Sequence, residues 1–320
     1  MAERQAVPAV PAGPPPAALP RRVALVFNPA AAEDRDAAPA LAAEVRDALA
    51  AAGLRVRWLE TTPDDPGQGL VRRALRAGVD LVMVCGGDGT VMACASALAG
   101  SGVPLALLPR GTGNLLATNL DLPADLDGAV RTALRGRRRR LDVGALGDDR
   151  FVVMAGMGFD AAMLRDADPG LKARVGALAY VLSGLRNLRR ASARFELRLD
   201  DRPPFSRVGQ GVLVGNLGRL QGGLPVLPDA APDDGQLDVA VLRTRSLAGW
   251  LRLAAGVLLR RRPGDPELEP HRARRVEVRC RTPQPVQRDG EPAEPSTRMA
   301  VEVVPAALTL CVPDERNGRS

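Results

Sequence analysis

Short apolar runs alternate with helix-spaced stretches along the first third of the chain. Val23–Phe27 is five apolar residues in a row closed by Asn28-Pro29, the pattern of a buried strand and its turn. Between Pro39 and Ala52 the apolar positions Leu41, Val45 and Leu49 recur every four residues, which predicts a helix stopped by Gly53. Val56–Leu59 predicts a second strand, Gly69–Ala77 a helix and Asp80–Cys85 a third strand. Gly86-Gly87-Asp88-Gly89-Thr90 follows at once and opens a helix through Leu98. Leu105–Leu108 predicts a fourth strand, which runs into Pro109-Arg110-Gly111-Thr112-Gly113-Asn114. This alternation predicts a parallel, Rossmann-like sheet with ligand loops at the carboxyl ends of its strands.

After Arg140 the texture changes. Leu141–Leu146, Phe151–Ala155, Arg194–Leu199, Gly211–Gly215, Leu237–Leu242, Arg275–Cys280 and Met299–Val304 are strand-like runs separated by turn residues. Only Ala173–Arg189 and Ser246–Arg260 have helical spacing there. The expected organisation is a disordered Pro- and Ala-rich tail over 1–20, an α/β nucleotide-binding domain over 21–141, a β-rich domain over 142–303 and a closing segment over 304–320.

Composition narrows the function. The chain has 320 residues and is 46% hydrophobic, enough for substantial cores. Aromatics at 2% argue against a protein that stacks single-stranded bases, and no nucleic-acid partner is expected. The net charge of +7 is almost wholly arginine, since Lys172 is the only lysine; it suits an anionic partner without choosing one. A single histidine, His271, excludes multi-histidine metal sites, and its Pro- and Arg-rich surroundings predict a solvated loop. Cys85, Cys94, Cys280 and Cys311 form no C-x-x-C pair, and three of them end apolar runs as buried thiols do, which predicts a reducing, cytoplasmic setting. The first twenty residues lack the basic start and apolar block of a signal peptide, and Ala248–Leu259, interrupted by Arg252, is too short to span a bilayer. The expectation is a soluble protein, or a peripheral one at the inner membrane face.

Three motifs carry chemistry. In GGDGT, three glycines between a buried strand and a helix let backbone approach a polyphosphate at the helix N-terminus, while Asp88 offers oxygen to Mg²⁺. The chain has no G-x-x-x-x-G-K-[ST], and no G-x-G-x-x-G at the first strand, so P-loop NTPase and dinucleotide-dehydrogenase readings fail. The second glycine loop follows the next strand and would face the same crevice, supplying Thr112 and Asn114 as hydrogen-bonding groups. In Gln287-Arg288-Asp289-Gly290-Glu291-Pro292, two carboxylates flank a glycine on a turn, an arrangement that can aim one group at an alcohol while the other orients it. Pro232–Asp238 (PDDGQLD) reads as a turn before a strand, with Asp234 able to join nearby carbonyls around a cation. Arg137–Arg140 and the stretch Trp250–Arg262 are candidate contacts with anionic headgroups, set against plainer readings as a cationic helix end and a core helix.

Together the motifs resemble the diacylglycerol kinase catalytic domain family, which includes bacterial lipid kinases and sphingosine kinases. The match runs from Val23 to Pro313 through FNPAA (Phe27–Ala31), GGDGT, PRGTGNLLATNL (Pro109–Leu120), GMGFDA (Gly156–Ala161), DDGQLDV (Asp233–Val239), QRDGEP and VPAALTLCVP. The resemblance implies an ATP-binding first domain and a C-terminal β-sandwich whose last strands return to the first domain. It places Asn28, Thr61, Gly86, Gly87, Asp88, Gly89, Thr90, Val91, Met92, Gly111, Thr112 and Asn114 at the nucleotide. It makes Glu291 the proton acceptor, with Asp289 beside it and Asp88 at the phosphates. Asp234, with the carbonyls of Ala231 and Gln236, matches a structural Mg²⁺ site of bacterial members. The chain departs from the family at Ala30–Ala32, where a Ser-Gly pair is frequent, at Met92 in place of Asn and at Leu115 in place of Asp.

The implied partners are ATP, Mg²⁺ and a membrane lipid met by transient surface contact. The implied reaction is transfer of the γ-phosphoryl group to a lipid hydroxyl, diacylglycerol or a relative. An NAD kinase-like enzyme acting on a ribose hydroxyl and a catalytically silent nucleotide or lipid binder are the alternatives. The acceptor lipid and the oligomeric state, a homodimer included, stay open.

Overall fold

The computed structural model describes residues 20–32, 35–111, 113–158, 192–219, 226–243 and 268–314. The expected tail, the helices over Ala173–Arg189 and Ser246–Arg260, the stretch Trp250–Arg262, Phe159–Ala161 of GMGFDA and Thr112 lie outside the described residues, wholly or, for the tail, up to residue 19.

The first half follows its hydrophobic pattern closely. Strands β1 (Val23–Phe27), β2 (Val56–Glu60), β3 (Leu81–Gly86) and β4 (Leu105–Pro109) are all parallel, in the spatial order β4-β3-β1-β2. β1 and β3 are buried at every position because helices cover both faces. Helices α1 (Ala38–Ala51) and α5 (Leu126–Arg135) close one face around Val45, Leu49, Val130 and Ala133. Helices α2 (Gln68–Arg76), α3 (Asp88–Leu98) and α4 (Leu115–Asn119) close the other.

The second half is antiparallel. β5 (Arg137–Leu146), β6 (Asp149–Phe151), β7 (Met154–Met157), β8 (Ala193–Leu199), β9 (Phe205–Gly209), β10 (Gly211–Gly215), β11 (Leu237–Leu242), β12 (Leu268–Ala273), β13 (Arg275–Arg288) and β14 (Glu291–Val312) form two layers. Strand β13 joins them: its Val276–Cys280 half pairs with β8, and its Val286–Arg288 half pairs with β7. Phe151, Phe195, Val214, Val239, Val278 and Met299 fill the space between.

Two strands tie the halves together. β14 runs antiparallel to β13 and β5, then ends parallel to β4 with Leu310 opposite Leu105, so one sheet of 14 strands runs through the molecule. β5 passes through 141–142 and β14 through 303–304, the two divisions expected from the texture. An apolar cluster crosses the junction as well, packing Val91, Met92 and Leu116 with Val152, Met154, Leu217 and Leu308.

Three readings are corrected. Phe151–Ala155 is not one strand: the ladder breaks at Val152-Val153, because three successive N–H groups there turn onto a carboxylate. Arg137–Arg140 is the start of β5 rather than a helix end, although Arg138 donates to the Ala133 carbonyl at 2.8 Å and so does cap α5. His271 is no loop residue; it sits on β12 opposite Val239, partly buried, with Nε2 3.2 Å from Glu269. Among the cysteines, Cys85, Cys94 and Cys311 are buried free thiols, while Cys280 is only partly buried.

Candidate active site

The parallel strands end level. Gly86 is the register partner of Pro109, and Phe27 is that of both Cys85 and Glu60, so Arg110, Gly87, Asn28 and Thr61 follow along one edge. The strands stay parallel, but the winding order reverses at β1, with β2 added on one side and β3 on the other, the switch point at which open α/β sheets bind ligands beyond their strand ends.

Asn28 stitches this edge together. Its N–H donates to the Cys85 carbonyl at 2.9 Å, its Oδ1 accepts from the Ala30 N–H at 2.9 Å, and its Nδ2 donates to Thr90 Oγ1 at 2.8 Å. Thr61 is buried and donates its N–H to the Phe27 carbonyl at 2.9 Å. The two glycine loops touch: a Cβ on Gly111 would stand 2.6 Å from Gly87 Cα. Asn114, at φ 43°, accepts the Gly111 N–H on Oδ1 at 3.0 Å, and Asp88 Oδ1 accepts the Leu115 N–H at 2.6 Å. Asp88 therefore opens α3 and holds the first turn of α4 as well.

The first-turn N–H groups of α3 lack intrahelical acceptors and meet the positive end of its dipole, which favours a polyphosphate. Val91 and Met92 are buried in the apolar cluster, and the Val91 N–H is taken by the Gly87 carbonyl at 3.0 Å. Leu115 is likewise buried, which gives the two departures Met92 and Leu115 a packing rationale.

The DGE turn joins β13 to β14 through two positive-φ residues, Asp289 at 46° and Gly290 at 84°. The Asp289 carboxylate is enclosed and accepts from three consecutive backbone N–H groups: Val152 at 2.8 Å, Val153 at 2.9 Å and Met154 at 2.9 Å. Burial outweighs these donors and pushes its carboxyl up to about 6. The fully buried Gln287 accepts the Gly290 N–H on Oε1 at 3.0 Å and closes the turn from within. Glu291 stands exposed on the far side of the glycine. One carboxylate is thus anchored and the other presented.

At the PDDGQLD turn, Asp234 Oδ1 accepts the Gln236 N–H at 2.9 Å, and Oδ2 lies 3.9 Å from Arg272. Buried Asp142 holds the turn to β5 and β14, accepting from Gly235 at 2.6 Å and Ala306 at 2.7 Å, and burial raises its pKa. Among the described residues no three metal-ligating side chains cluster, so a cation at Asp234 would depend on carbonyls such as those of Ala231 and Gln236.

Sequence reasoning missed the amides that bind these parts together. Asn216, 1% exposed, donates through Nδ2 to the Asp142 and Val152 carbonyls at 2.8 and 3.0 Å. Its place after a run of apolar residues was the one available signal, because a polar side chain buried there must find partners.

Comparison with known proteins accords with this architecture. The family described as the diacylglycerol kinase catalytic domain matches residues 22–146, and the YegS C-terminal NAD kinase beta sandwich-like domain matches residues 152–312. A Pseudomonas aeruginosa protein named "probable lipid kinase YegS-like" is 34% identical over 302 residues, covering 91% of this chain and 94% of its own length. An uncharacterized Synechocystis protein, sll0036, is 28% identical over 275 residues, covering 81% of this chain and 62% of its own length. A crystal structure described as a diacylglycerol kinase from Bacillus anthracis shares the fold at TM-score 0.71 and 21% identity, covering 92% of this chain and 97% of that one. An NAD kinase from Archaeoglobus fulgidus in complex with ATP is more distant, at TM-score 0.51 and 14% identity over 92% of this chain and 95% of that one. Matched in both halves and along nearly the whole length of a relative, the chain belongs to the YegS-like lipid kinase family, a diacylglycerol kinase catalytic domain joined to a YegS-type β-sandwich.

Proposed function

We propose that this protein transfers the γ-phosphoryl group of ATP to the hydroxyl of a membrane lipid, diacylglycerol or a close relative, giving a phosphatidic acid-type product. The observation that carries the reading is the division of labour at the DGE turn: Asp289 is locked to three backbone N–H groups, while Glu291 is presented on the same turn.

Close backbone approach at the strand ends supports a nucleotide there. Gly87 and Gly111 approach so closely that a side chain on Gly111 would wedge the loops apart, and the N-terminus of α3 lies at the same edge. Asn28, Thr61, Gly86–Thr90, Gly111 and Asn114 would hold ATP, with Thr112 assigned by the motif alone. Asp88 would hold Mg²⁺, which when bound neutralises charge on the phosphates. Glu291 takes the proton of the lipid hydroxyl, and Asp289 keeps the turn in place while it does so. Positioning and charge neutralisation supply most of the acceleration. Asp234, with the carbonyls of Ala231 and Gln236, would hold a second, structural Mg²⁺. Among the described residues no helix is long and apolar enough to cross a membrane, which accords with a lipid reached by transient surface contact.

The test is phosphate transfer from labelled ATP to a panel of lipids in mixed micelles with Mg²⁺, for the wild type and Glu291→Gln. The expected result is one labelled lipid, lost in the variant, with ATP binding retained. Turnover retained by the variant removes Glu291 as the base. NADP formed from NAD, with no lipid labelled, moves the chain to the NAD kinase reading, and ATP binding with no product supports a silent binder.

A further inference from the structure

Among the described residues, hydrogen bonds joined by short backbone segments lead from the GGDGT loop to the DGE turn, and one side chain bridges the middle. Asp88 Oδ1 accepts the Leu115 N–H at 2.6 Å, which fixes the start of α4 to the glycine loop. At the end of α4, Asn119 Nδ2 donates both to the Leu115 carbonyl and to the Arg219 carbonyl, each at 2.9 Å, while its Oδ1 accepts the Arg219 N–H at 2.9 Å. All three bonds fit one orientation of the amide, since Nδ2 meets two carbonyls and Oδ1 meets an N–H. Arg219 returns the contact through Nη1, at 3.2 Å from both the Thr118 carbonyl and Asp121 Oδ1.

The stretch Asn216–Arg219 is itself stitched to the Asp289 cradle. The Asn216 and Leu217 N–H groups donate to the Val153 carbonyl at 2.9 and 3.2 Å, and Asn216 Nδ2 donates to the Val152 carbonyl at 3.0 Å. The N–H groups of those same two residues, with that of Met154, hold the Asp289 carboxylate. Leu115, Leu116 and Ala117 of α4 pack in one apolar cluster with Val152–Met154 and Leu217, so both sides of the clasp rest on a shared, close-packed support.

We propose that Asn119 is a positioning residue for phosphoryl transfer: by clasping the Arg219 backbone it fixes the spacing between the Asp88 loop, which carries the phosphoryl donor, and the Asp289-Gly290-Glu291 turn, which carries the base. The role rests on the lipid kinase reading above. Asn119 lies within PRGTGNLLATNL but outside its glycine loop, and it acts through its bonds to Leu115 and Arg219. In-line transfer depends steeply on the separation of donor and acceptor, and a misplacement of about 1 Å costs on the order of 100-fold in rate.

The test compares Asn119→Leu with Asn119→Ser, which leaves a short hydroxyl on α4 and loses the reach to Arg219. Measured for each are ATP affinity by titration calorimetry, kcat and KM on the lipid labelled by the wild type, and amide hydrogen exchange. The expected result is a fall in kcat of roughly 10- to 100-fold with ATP affinity within about twofold, together with faster exchange over Val152–Met154 and Asn216–Arg219. An unchanged kcat in both variants overturns the proposal, as does a fall in kcat matched by an equal loss of ATP affinity. If Asn119→Leu does not fold, Asn119→Ser decides alone. If the wild type labels no lipid, the lipid kinase reading fails separately and the exchange data decide: faster exchange over Val152–Met154 supports the clasp, and unchanged exchange overturns it.

Discussion

Asp289 and Met154 hold each other twice. The Met154 N–H donates to Asp289 Oδ1 at 2.9 Å, and the Asp289 N–H donates back to the Met154 carbonyl at 2.7 Å. This reciprocal pair joins a turn at the tip of the β13–β14 hairpin to a break in the strand pairing between β6 and β7. The break and the turn exist for each other: Val152 and Val153 leave the ladder so that their N–H groups reach the carboxylate.

Removing that carboxylate leaves three backbone donors without their acceptor. Asp289→Ala is expected to lower stability by about 3 kcal/mol or more, since each unsatisfied buried donor costs roughly 1–3 kcal/mol. Urea denaturation of the full chain measures it. A loss below about 1 kcal/mol would mean that water replaces the carboxylate easily.

The same group sets a pH dependence. Burial holds the folded Asp289 carboxyl near 6, above its ordinary value of 3.8, so between these values the folded state binds the proton that the unfolded state has released. Its contribution to stability is complete below the ordinary value and is lost as pH rises through about 6. The gap corresponds to on the order of 3 kcal/mol. Asp142 and Asp238 are raised by burial in the same direction, so the measurement is a difference. Denaturation midpoints of wild type and Asp289→Asn, taken at pH 4 and pH 7, are expected to show the wild type losing its relative advantage at the higher pH. Parallel profiles would remove Asp289 as the titrating group.

The glycine loops make opposite predictions at two positions. A Cβ on Gly111 meets Gly87 Cα at 2.6 Å, backbone against backbone, so Gly111→Ala must part the loops and is expected to weaken ATP binding by roughly 10-fold or more. A Cβ on Gly89 meets nothing within 4 Å, and Gly89 lies inside α3, so Gly89→Ala is expected to gain about 0.5–1 kcal/mol of stability. If the phosphates lie over this turn, Gly89→Ala will nonetheless lose ATP affinity. Calorimetric titration with ATP beside thermal melts separates the effects, and undiminished affinity in both variants would move the phosphates off the glycine loops.

Much of the fold was legible along the chain. Val23–Phe27 and the helix through Leu98 stand where the pattern placed them, because a strand covered on both faces and a helix with one apolar side each leave a periodic signature. β9 and β12 were not anticipated. Phe205–Gly209 and Leu268–Ala273 are short, only partly buried strands, held to each other by the Arg207–Glu269 ion pair at 2.7 Å rather than by a core. Propensity alone cannot anticipate such pairing.

The family resemblance, the parallel first domain and the motif residues are written in consecutive residues, since glycine loops beside buried strands are local features. Tertiary structure alone decided which carboxylate of the DGE turn is anchored and which is presented. It also decided that Asp88 holds the first turn of α4, that Asn119 bridges the two halves, and that Asn216 ties β5 to the Asp289 cradle. Those relationships join residues up to 137 positions apart, as at Val152 and Asp289. They arise because buried polar groups must be paired wherever the packed strands bring them, which no local pattern records.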